Sequence, residues 1–403
     1  MTDAVIDLDQ SNKRAILYLC IFGFFLRAVY ILFFNPNISF PDEQRFWQEA
    51  SSLLSGQGIQ IGADGKRAHD MPLTAIIISL VYYITEGSMI GVKMFFAVLS
   101  TATIYLIAKL AELIGGNKKS ALIAASIASV YPFFIYYSSL ILSETLFLLF
   151  VTLMFVQLMN KDNKSQVLSG ITIGFSHLIR PTLLYYVPVI LIWQYFISKC
   201  SLKSIISSIL LIVLVITPWG VRNKFSLGEF YIFTSGAGQV LLEGNNKWNI
   251  SGGVSGSFES PDAYLKDVPQ GLSELDEDRW KRNKALEYIK NNKKHSVKQA
   301  FKKLIRFWNI WPNSPDYQSW FYKFISIASF GVILCLALIS VFILRKDYKK
   351  LSLIYLFVIY YSLIHAITIG SIRYRLPLEP LLIAIGSAGL SKMASKKAIE
   401  QKL

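Results

Sequence analysis

Apolar stretches close to membrane-spanning length recur along this chain, at 15–35, 90–113, 119–138, 141–160, 165–180, 183–199, 204–221, 321–345, 350–369 and 375–391. A helix of about 20 apolar residues matches the hydrocarbon thickness of a bilayer. Inside that layer the backbone must satisfy its own hydrogen bonds, which favours helices. The chain therefore reads as an all-α polytopic membrane protein. Only 17% of its residues are charged, against about 25% in soluble domains. The net charge of +15 would otherwise point to nucleic acid. Here it fits loops that face anionic lipid heads, so membrane lipids and not nucleic acid are the expected partners. Cys20 and Cys335 lie in apolar runs and Cys200 in a short basic loop, so neither a disulfide nor a cysteine metal site is expected. No small-residue cleavage site follows the polar N-terminus, which predicts a retained first helix.

The basic clusters set the topology. Lys13/Arg14, Lys118/Lys119, Lys161/Lys164, Lys199/Lys203, the stretch Arg345 to Lys350 and the "SKMASKK" tail all face the cytoplasm if a short additional run, 71–86, lies at the outer face without crossing. Ten spans then result, with both termini cytoplasmic. Residues 1–222 form one transmembrane module that contains the first outer loop, 36–89. Residues 223–320 form a large outer loop read as a small folded cap, and 321–403 the last helices and tail. Within the cap, "DEDRWKRNKALEYIKNNKKHSVKQAFKKLIRFW" predicts one or two amphipathic helices resting on the bilayer, with Phe307, Trp308 and Trp311 at the interface. No internal repeat or low-complexity tract is found.

A polar constellation gathers on the outer side. "SFPDEQRFWQEA" (39–50) follows the first span and places Asp42 beside Glu43. Ser39 to Asp42 has the spacing of a capping box, so the acid can be a helix cap. It can equally be a general base, with partial desolvation raising its pKa toward that task. The helix that follows presents Phe46, Ala50, Leu53 and Leu54 as one apolar stripe. Arg180, Arg222, Arg373 and Arg375 all fall at outer ends of spans, against the positive-inside trend. Each alone could be an interface anchor or a dipole partner. Together they suit an anionic ligand, since guanidinium binds phosphate bidentately.

Glu144 opens a span at the same face, where it could complement a helix N-terminus, orient an arginine or hold a metal. His69 and Asp70 precede Met71-Pro72; with Glu144 they are weak metal candidates, and no cofactor is required. His177 reads as a packed residue and His365 as a site candidate. Tyr137 and Tyr374 are supporting candidates. Thr234 to Gly238 reads as a flexible lid, followed by Asn245 and Asn246 as sugar contacts.

Taken in order, these segments resemble the GT-C superfamily of membrane glycosyltransferases, and within it the enzymes related to protein mannosyltransferases and aminoarabinose transferases. The resemblance is carried by "PDEQRFWQEASSLLSGQG", "HDMPLTAIIISLVYYITEG", "YYSSLILSETLFLLF", "GFSHLIRPTLL", "PWGVRNKFSLGEFYIFTSGAGQVLLEGNN" and "RYRLPLEPLL". It implies a GT-C-like fold with juxtamembrane helices in the first outer loop and a long loop between spans seven and eight. It also implies transfer of a single sugar from a polyprenyl-phosphate carrier to a lipid, glycan or protein acceptor, on the outer face of a bacterial inner membrane. Asp42 maps to the proposed base, with Glu43, Arg45 and Glu144 at supporting positions. Where aminoarabinose transferases show a Lys before a Pro-Pro pair, this chain has His69-Asp70-Met71-Pro72. The alternatives are a polysaccharide ligase or polymerase using a pyrophosphate-linked glycan, and a flippase or transporter. The second would favour mid-span ionisable residues and a pseudo-repeat. No glycine-rich nucleotide motif is present.

Overall fold

The computed structural model describes residues 10–61, 65–160, 162–251 and 265–400. Lys161 of the basic clusters lies outside the described residues. Among the described residues the fold is helical, with one isolated bridge between Ile61 and Lys66.

Each of the ten apolar runs is helical. Five segments are long and apolar enough to cross a membrane: Asn12–Phe34, Met89–Gly115, Leu202–Leu227, Trp320–Ile343 and Arg345–Ile367. They correspond to α1 (Gln10–Phe34), α4 (Met89–Gly115), α10 (Leu202–Leu227), α14 (Trp320–Ser326) running into α15 (Val332–Ile343), and α16 (Tyr348–Ile367). A sixth arises if α5 (Lys118–Val130) and α6 (Pro132–Ser138), bent by 54°, count as one. The bend has a local cause: Pro132 forces Tyr131 into extended backbone and restarts the helix. The other four runs are shorter, interrupted or partly polar. They are α7 (Ser143–Met159), α8 (Asn163–Ile179), the turn Pro181–Tyr186 with α9 (Val187–Phe196), and α18 (Glu379–Glu400). At 1.5 Å per residue α7 spans about 25 Å, a turn less than the hydrocarbon layer.

The core is centred on α4, which packs against α1, α5, α7 and α18. Arg27 of α1 is fully buried there. It donates to Ser100 Oγ at 2.8 Å and to the carbonyls of Gly23, Ala128 and Ser129, tying α1, α4 and α5 together.

Two helices lie between α1 and α4, α2 (Pro41–Leu54) and α3 (Pro72–Ile84). With 13 residues, about 20 Å, α3 is too short to cross. It packs on α2, where Trp47 meets Tyr82 edge-on at 4.8 Å. Of the expected stripe on α2, Phe46 and Ala50 are buried in the protein core and Leu54 is exposed.

The large loop holds α11 (Ala237–Gly244), α12 (Glu274–Asn291) and α13 (Lys293–Trp308). The last pair are the amphipathic helices expected from the sequence. Their seating differs: α13 packs on α16, and Phe307 is fully buried between His365 and Tyr361 instead of lying at the interface. Trp308 is likewise turned inward, donating Nε1–H to Ser362 Oγ at 3.1 Å. Trp311 is exposed. Two glycines let backbones meet directly at this junction. A Cβ on Gly244 would sit 1.9 Å from the Thr368 carbonyl oxygen, and one on Gly370 would sit 2.2 Å from that of Lys303. The segment between α16 and the one-turn helix α17 (Ile372–Arg375) is thereby clasped by α11 and α13.

Candidate active site

The adjacent acids Asp42 and Glu43 have opposite fates. The cap of α2 is Phe40, in extended backbone, with Pro41 in the first turn. Glu43 is fully buried. Its Oε2 accepts the N–H of Ser39 at 2.9 Å and of Phe40 at 3.0 Å, and its Oε1 accepts that of Ile141 at 2.8 Å. Lys93 Nζ stands 3.5 Å from the same carboxylate. The capping acid is therefore Glu43, not Asp42, and a carboxylate so fully occupied is not placed to react. One residue earlier is a rotation of about 100° around the helix, and Asp42 faces the outer cluster instead.

That cluster is an alternating row of six charges. Asp70 accepts from Arg45 Nε at 2.5 Å. Arg45 Nη1 donates to Asp42 Oδ1 at 2.8 Å. Asp42 Oδ2 accepts from Arg373 Nη1, and Arg373 Nε donates to Glu144 Oε1. Glu144 Oε1 also accepts from Arg180 Nη2 at 2.7 Å. Arg180 is fixed further by Ser143 Oγ at 3.0 Å. Three carboxylates and three guanidiniums thus link α2, the chain before α3, the start of α7, the end of α8 and α17. Burial alone would raise the Asp42 carboxyl, but Arg373 and Arg45 hold it below its ordinary value.

Aromatic rings line the row. The guanidinium carbons of Arg180 and Arg373 each lie 5.8 Å from the Tyr374 ring centre. His365 stacks on Tyr374 at 5.0 Å and on Phe307 at 5.2 Å. Its Nδ1 lies 3.2 Å from the Ile369 carbonyl, and its Nε2 is buried with no hydrogen-bond partner among the described residues. Tyr137 lies within electrostatic reach of Arg373 and Glu144.

Other expected site residues do structural work elsewhere. Arg222 donates to the backbone carbonyls of Ile59 at 3.0 Å and Arg67 at 2.8 Å, fastening the segment between α1 and α4 to α10. Arg375 is fully buried, paired with Glu379 at 2.9 Å and bonded to the Asn309 carbonyl at 2.6 Å. Neither guanidinium is available to the row. The Asn245 amide bonds the carbonyls of Leu241 and Ile367 and accepts from Lys303. Asn246 brackets the same turn, accepting from the N–H of Trp248 and Asn249. Both fold the loop instead of facing a sugar. The segment Thr234 to Gly238 is not loose: Ser235 N–H meets the Ala68 carbonyl at 2.7 Å, Ser235 Oγ meets Glu274 and Gly238 N–H meets Asp278, both at 2.5 Å. His177 packs edge-on against Phe233, with Nε2 2.8 Å from the Ile232 carbonyl.

Beside Arg45 opens a cavity of 440 Å³ lined by Pro41, Gln44, Arg45, Gln48, Ile61, Lys66 and His69. Burial lowers the pKa of His69, against the pull of Asp70, so it stands there as a neutral ring. Among the described residues no group of three metal-ligating side chains gathers. His69, Asp70 and Glu144 do not form a set, because Arg45 takes the Asp70 carboxylate and Arg373 and Arg180 take that of Glu144.

Two acids escape the sequence reading. Glu49 of α2 is buried, and its carboxyl is pushed well above the ordinary range by burial and by Asp70. Glu243, the acid of the amphipathic octet "AGQVLLEG", is pushed up to about 7 by burial and by Asp42. A lone acid inside an apolar helix was the signal available for it.

Known proteins show the same architecture. Residues 69–221 match the family of dolichyl-phosphate-mannose-protein mannosyltransferases. The fold resembles ArnT from Cupriavidus metallidurans, solved bound to undecaprenyl phosphate, with a TM-score of 0.57 and 12% identity over 94% of this chain and 59% of that one. It also resembles the archaeal oligosaccharyltransferase AglB from Archaeoglobus fulgidus, solved with an inhibitory peptide and a dolichol-phosphate. There the TM-score is 0.60 and the identity 13%, over 98% of this chain and 52% of that one. The chain thus spans a little over half the length of these structures. No curated protein matches it by sequence. By fold, the chain is similar to these two structures, and its apolar helices mark it as a multi-pass membrane protein.

Proposed function

We propose that this chain is a GT-C glycosyltransferase that moves one sugar from a polyprenyl-phosphate carrier to an acceptor hydroxyl at the outer face of the membrane. The observation that carries the reading is the alternating row, which sets a carboxylate, Asp42, against Arg373 and brings Arg180 beside Arg373 through their shared partner Glu144. ArnT with its undecaprenyl phosphate and AglB with its dolichol-phosphate support a carrier of this chemistry.

The reaction is an inverting displacement. The acceptor oxygen attacks the anomeric carbon while Asp42 takes its proton. The bond from that carbon to the phosphate breaks, and the departing phosphate gains charge that Arg373 and Arg180 are preorganised to neutralise. The resting pairs give the row a second property. Arg373 cannot fully serve a phosphate and Asp42 together. An arriving carrier draws the guanidinium away and leaves Asp42 with less to hold its pKa down, so the base sharpens as the donor seats.

The test uses the purified chain in liposomes with undecaprenyl-phosphate sugars labelled in the sugar. Free undecaprenyl phosphate is expected, and Asp42→Asn is expected to abolish its release while still binding undecaprenyl phosphate. Near-normal turnover by that variant removes Asp42 from the role. Movement of label across the bilayer without cleavage identifies a flippase. Consumption only of pyrophosphate-linked glycans identifies a ligase or polymerase.

A further inference from the structure

Two hydrogen-bond acceptors beside the charged row are left without a donor. Glu144 is 1% exposed, and its Oε1 accepts from both Arg180 and Arg373. Its Oε2 is buried and has no hydrogen-bond partner among the described residues. His365, 7% exposed, leaves its Nε2 in the same state. Buried polar groups are nearly always bonded, and one that is not costs free energy.

The imidazole cannot turn to mend this. Tyr374 at 5.0 Å and Phe307 at 5.2 Å stack nearly parallel to it, and Tyr361 meets it edge-on at 4.9 Å. Its Nδ1, 3.2 Å from the Ile369 carbonyl, is the nitrogen that carries the proton, because a carbonyl oxygen only accepts. Nε2 is then a bare lone pair on a ring held in one plane.

Two sets of contacts bring that ring beside the arginines of the row. Tyr374, which stacks on His365, has the guanidinium carbons of Arg180 and Arg373 each 5.8 Å from its own ring centre. Tyr361 in turn stacks on Phe147 at 6.4 Å, and Arg180 stands 5.8 Å from the Phe147 ring centre. Both routes cross only aromatic rings, so His365 and Arg180 border the same small region from different sides. Whatever completes it has to donate hydrogen bonds. An ionised carrier phosphate only accepts them, and a polyprenyl tail does neither. Sugar hydroxyls donate.

We propose that His365 Nε2 and Glu144 Oε2 accept hydrogen bonds from hydroxyl groups of the sugar being transferred, and that His365 selects which sugar is taken. The inference rests on the transferase reading and gives it a substrate class: a donor whose sugar carries a free hydroxyl at the position that meets His365. The arginines hold the phosphate, and these two acceptors hold the ring next to it. No bond is made or broken at His365, which is a specificity-determining residue.

The experiment offers the chain in liposomes a panel of hexosyl and pentosyl undecaprenyl phosphates and takes the member that it consumes. Analogues of that donor, each lacking one hydroxyl, are then compared by kcat/KM. The intact chain is expected to reject at least one analogue by about a hundredfold or more, because the missing hydroxyl strands a buried acceptor. His365→Phe keeps the aromatic stack and removes the lone pair. It is expected to lose the preference at one position, taking the full and the deoxy sugar within about threefold of each other. Its binding of sugar-free undecaprenyl phosphate should match that of the intact chain. His365→Gln, which keeps an acceptor but not in the place of Nε2, is expected to lose part of the same preference. Thermal melting in detergent shows that a variant is folded, and His365→Gln carries the test if His365→Phe is not. A folded variant with every preference unchanged overturns the assignment, and so does an intact chain that rejects no deoxy analogue. Weakened binding of sugar-free undecaprenyl phosphate by His365→Phe also overturns it, by making His365 a phosphate contact. These three results leave the transferase reading intact. Consumption of no member of the panel by the intact chain overturns both.

Discussion

Arg373 and Asp42, 331 positions apart in the chain, share an ion pair that joins α2 to α17. The same guanidinium bonds Glu144, so one side chain spans two carboxylates. A planar guanidinium holds the two with a fixed fork of donors, where an ammonium offers a point charge without that geometry.

From that geometry, Arg373→Lys keeps the charge but loses the fork that fits both acids. Donor cleavage is expected to fall by about two orders of magnitude, as for loss of a preorganised charge contact. Arg373→Ala should fall further and also weaken binding of undecaprenyl phosphate. Wild-type cleavage kinetics in Arg373→Lys would argue against a shared role for the two acids.

Glu43 and Asp42 should separate cleanly by phenotype. Glu43→Gln removes the charge that serves Ser39, Phe40, Ile141 and Lys93. A buried charge broken on one side costs on the order of 3 kcal/mol, so the variant should melt well below the parent in detergent. Asp42→Asn, at the accessible face, should melt close to the parent. Equal melting of the two would mean that the capping role of Glu43 is misjudged.

Arg375 and Glu379 form a fully buried pair. Arg375→Met alone strands an acid inside the bundle and should cost roughly 3–5 kcal/mol. The double variant Arg375→Met with Glu379→Gln should recover a good part of that, as a double-mutant cycle on thermal stability would show. Neither is expected to change undecaprenyl phosphate affinity per folded molecule.

Glu243 has a stability signature. Its folded pKa is raised to about 7 from 4.5, by burial first and Asp42 second. A raised acid binds its proton more tightly when folded, so it costs stability as pH climbs through the window between those values. Glu243→Gln should therefore melt higher relative to the parent at pH 8 than at pH 5. The same difference at both pH values would refute the raised pKa.

The helical runs are legible in the sequence because apolar length is a local property. The outer cluster is legible as a set: the topology puts Asp42, Arg45, Asp70, Glu144, Arg180 and Arg373 on one side, and the structure brings these six together. The partner of each group is not legible. Whether an arginine meets a carboxylate or a carbonyl depends on chain far away, as when Arg222 reaches Ile59 and Arg375 reaches Asn309. Ser39 to Asp42 has capping spacing, yet Glu43 wins the cap because Ile141, in the link before α7, and Lys93, on α4, also need its charge. Asn245 and Asn246 read as sugar contacts for their chemistry, while their amides close the turn beneath Glu243.

The junction at Gly244 and Gly370 sets how the large loop can behave. With backbone pressed on backbone, no side chain there can swing aside to let the loop lift. Its root and the short turn bearing Arg373 move as one piece. The root of the loop then works as a buttress more than a door: it braces the turn that carries the arginine facing Asp42.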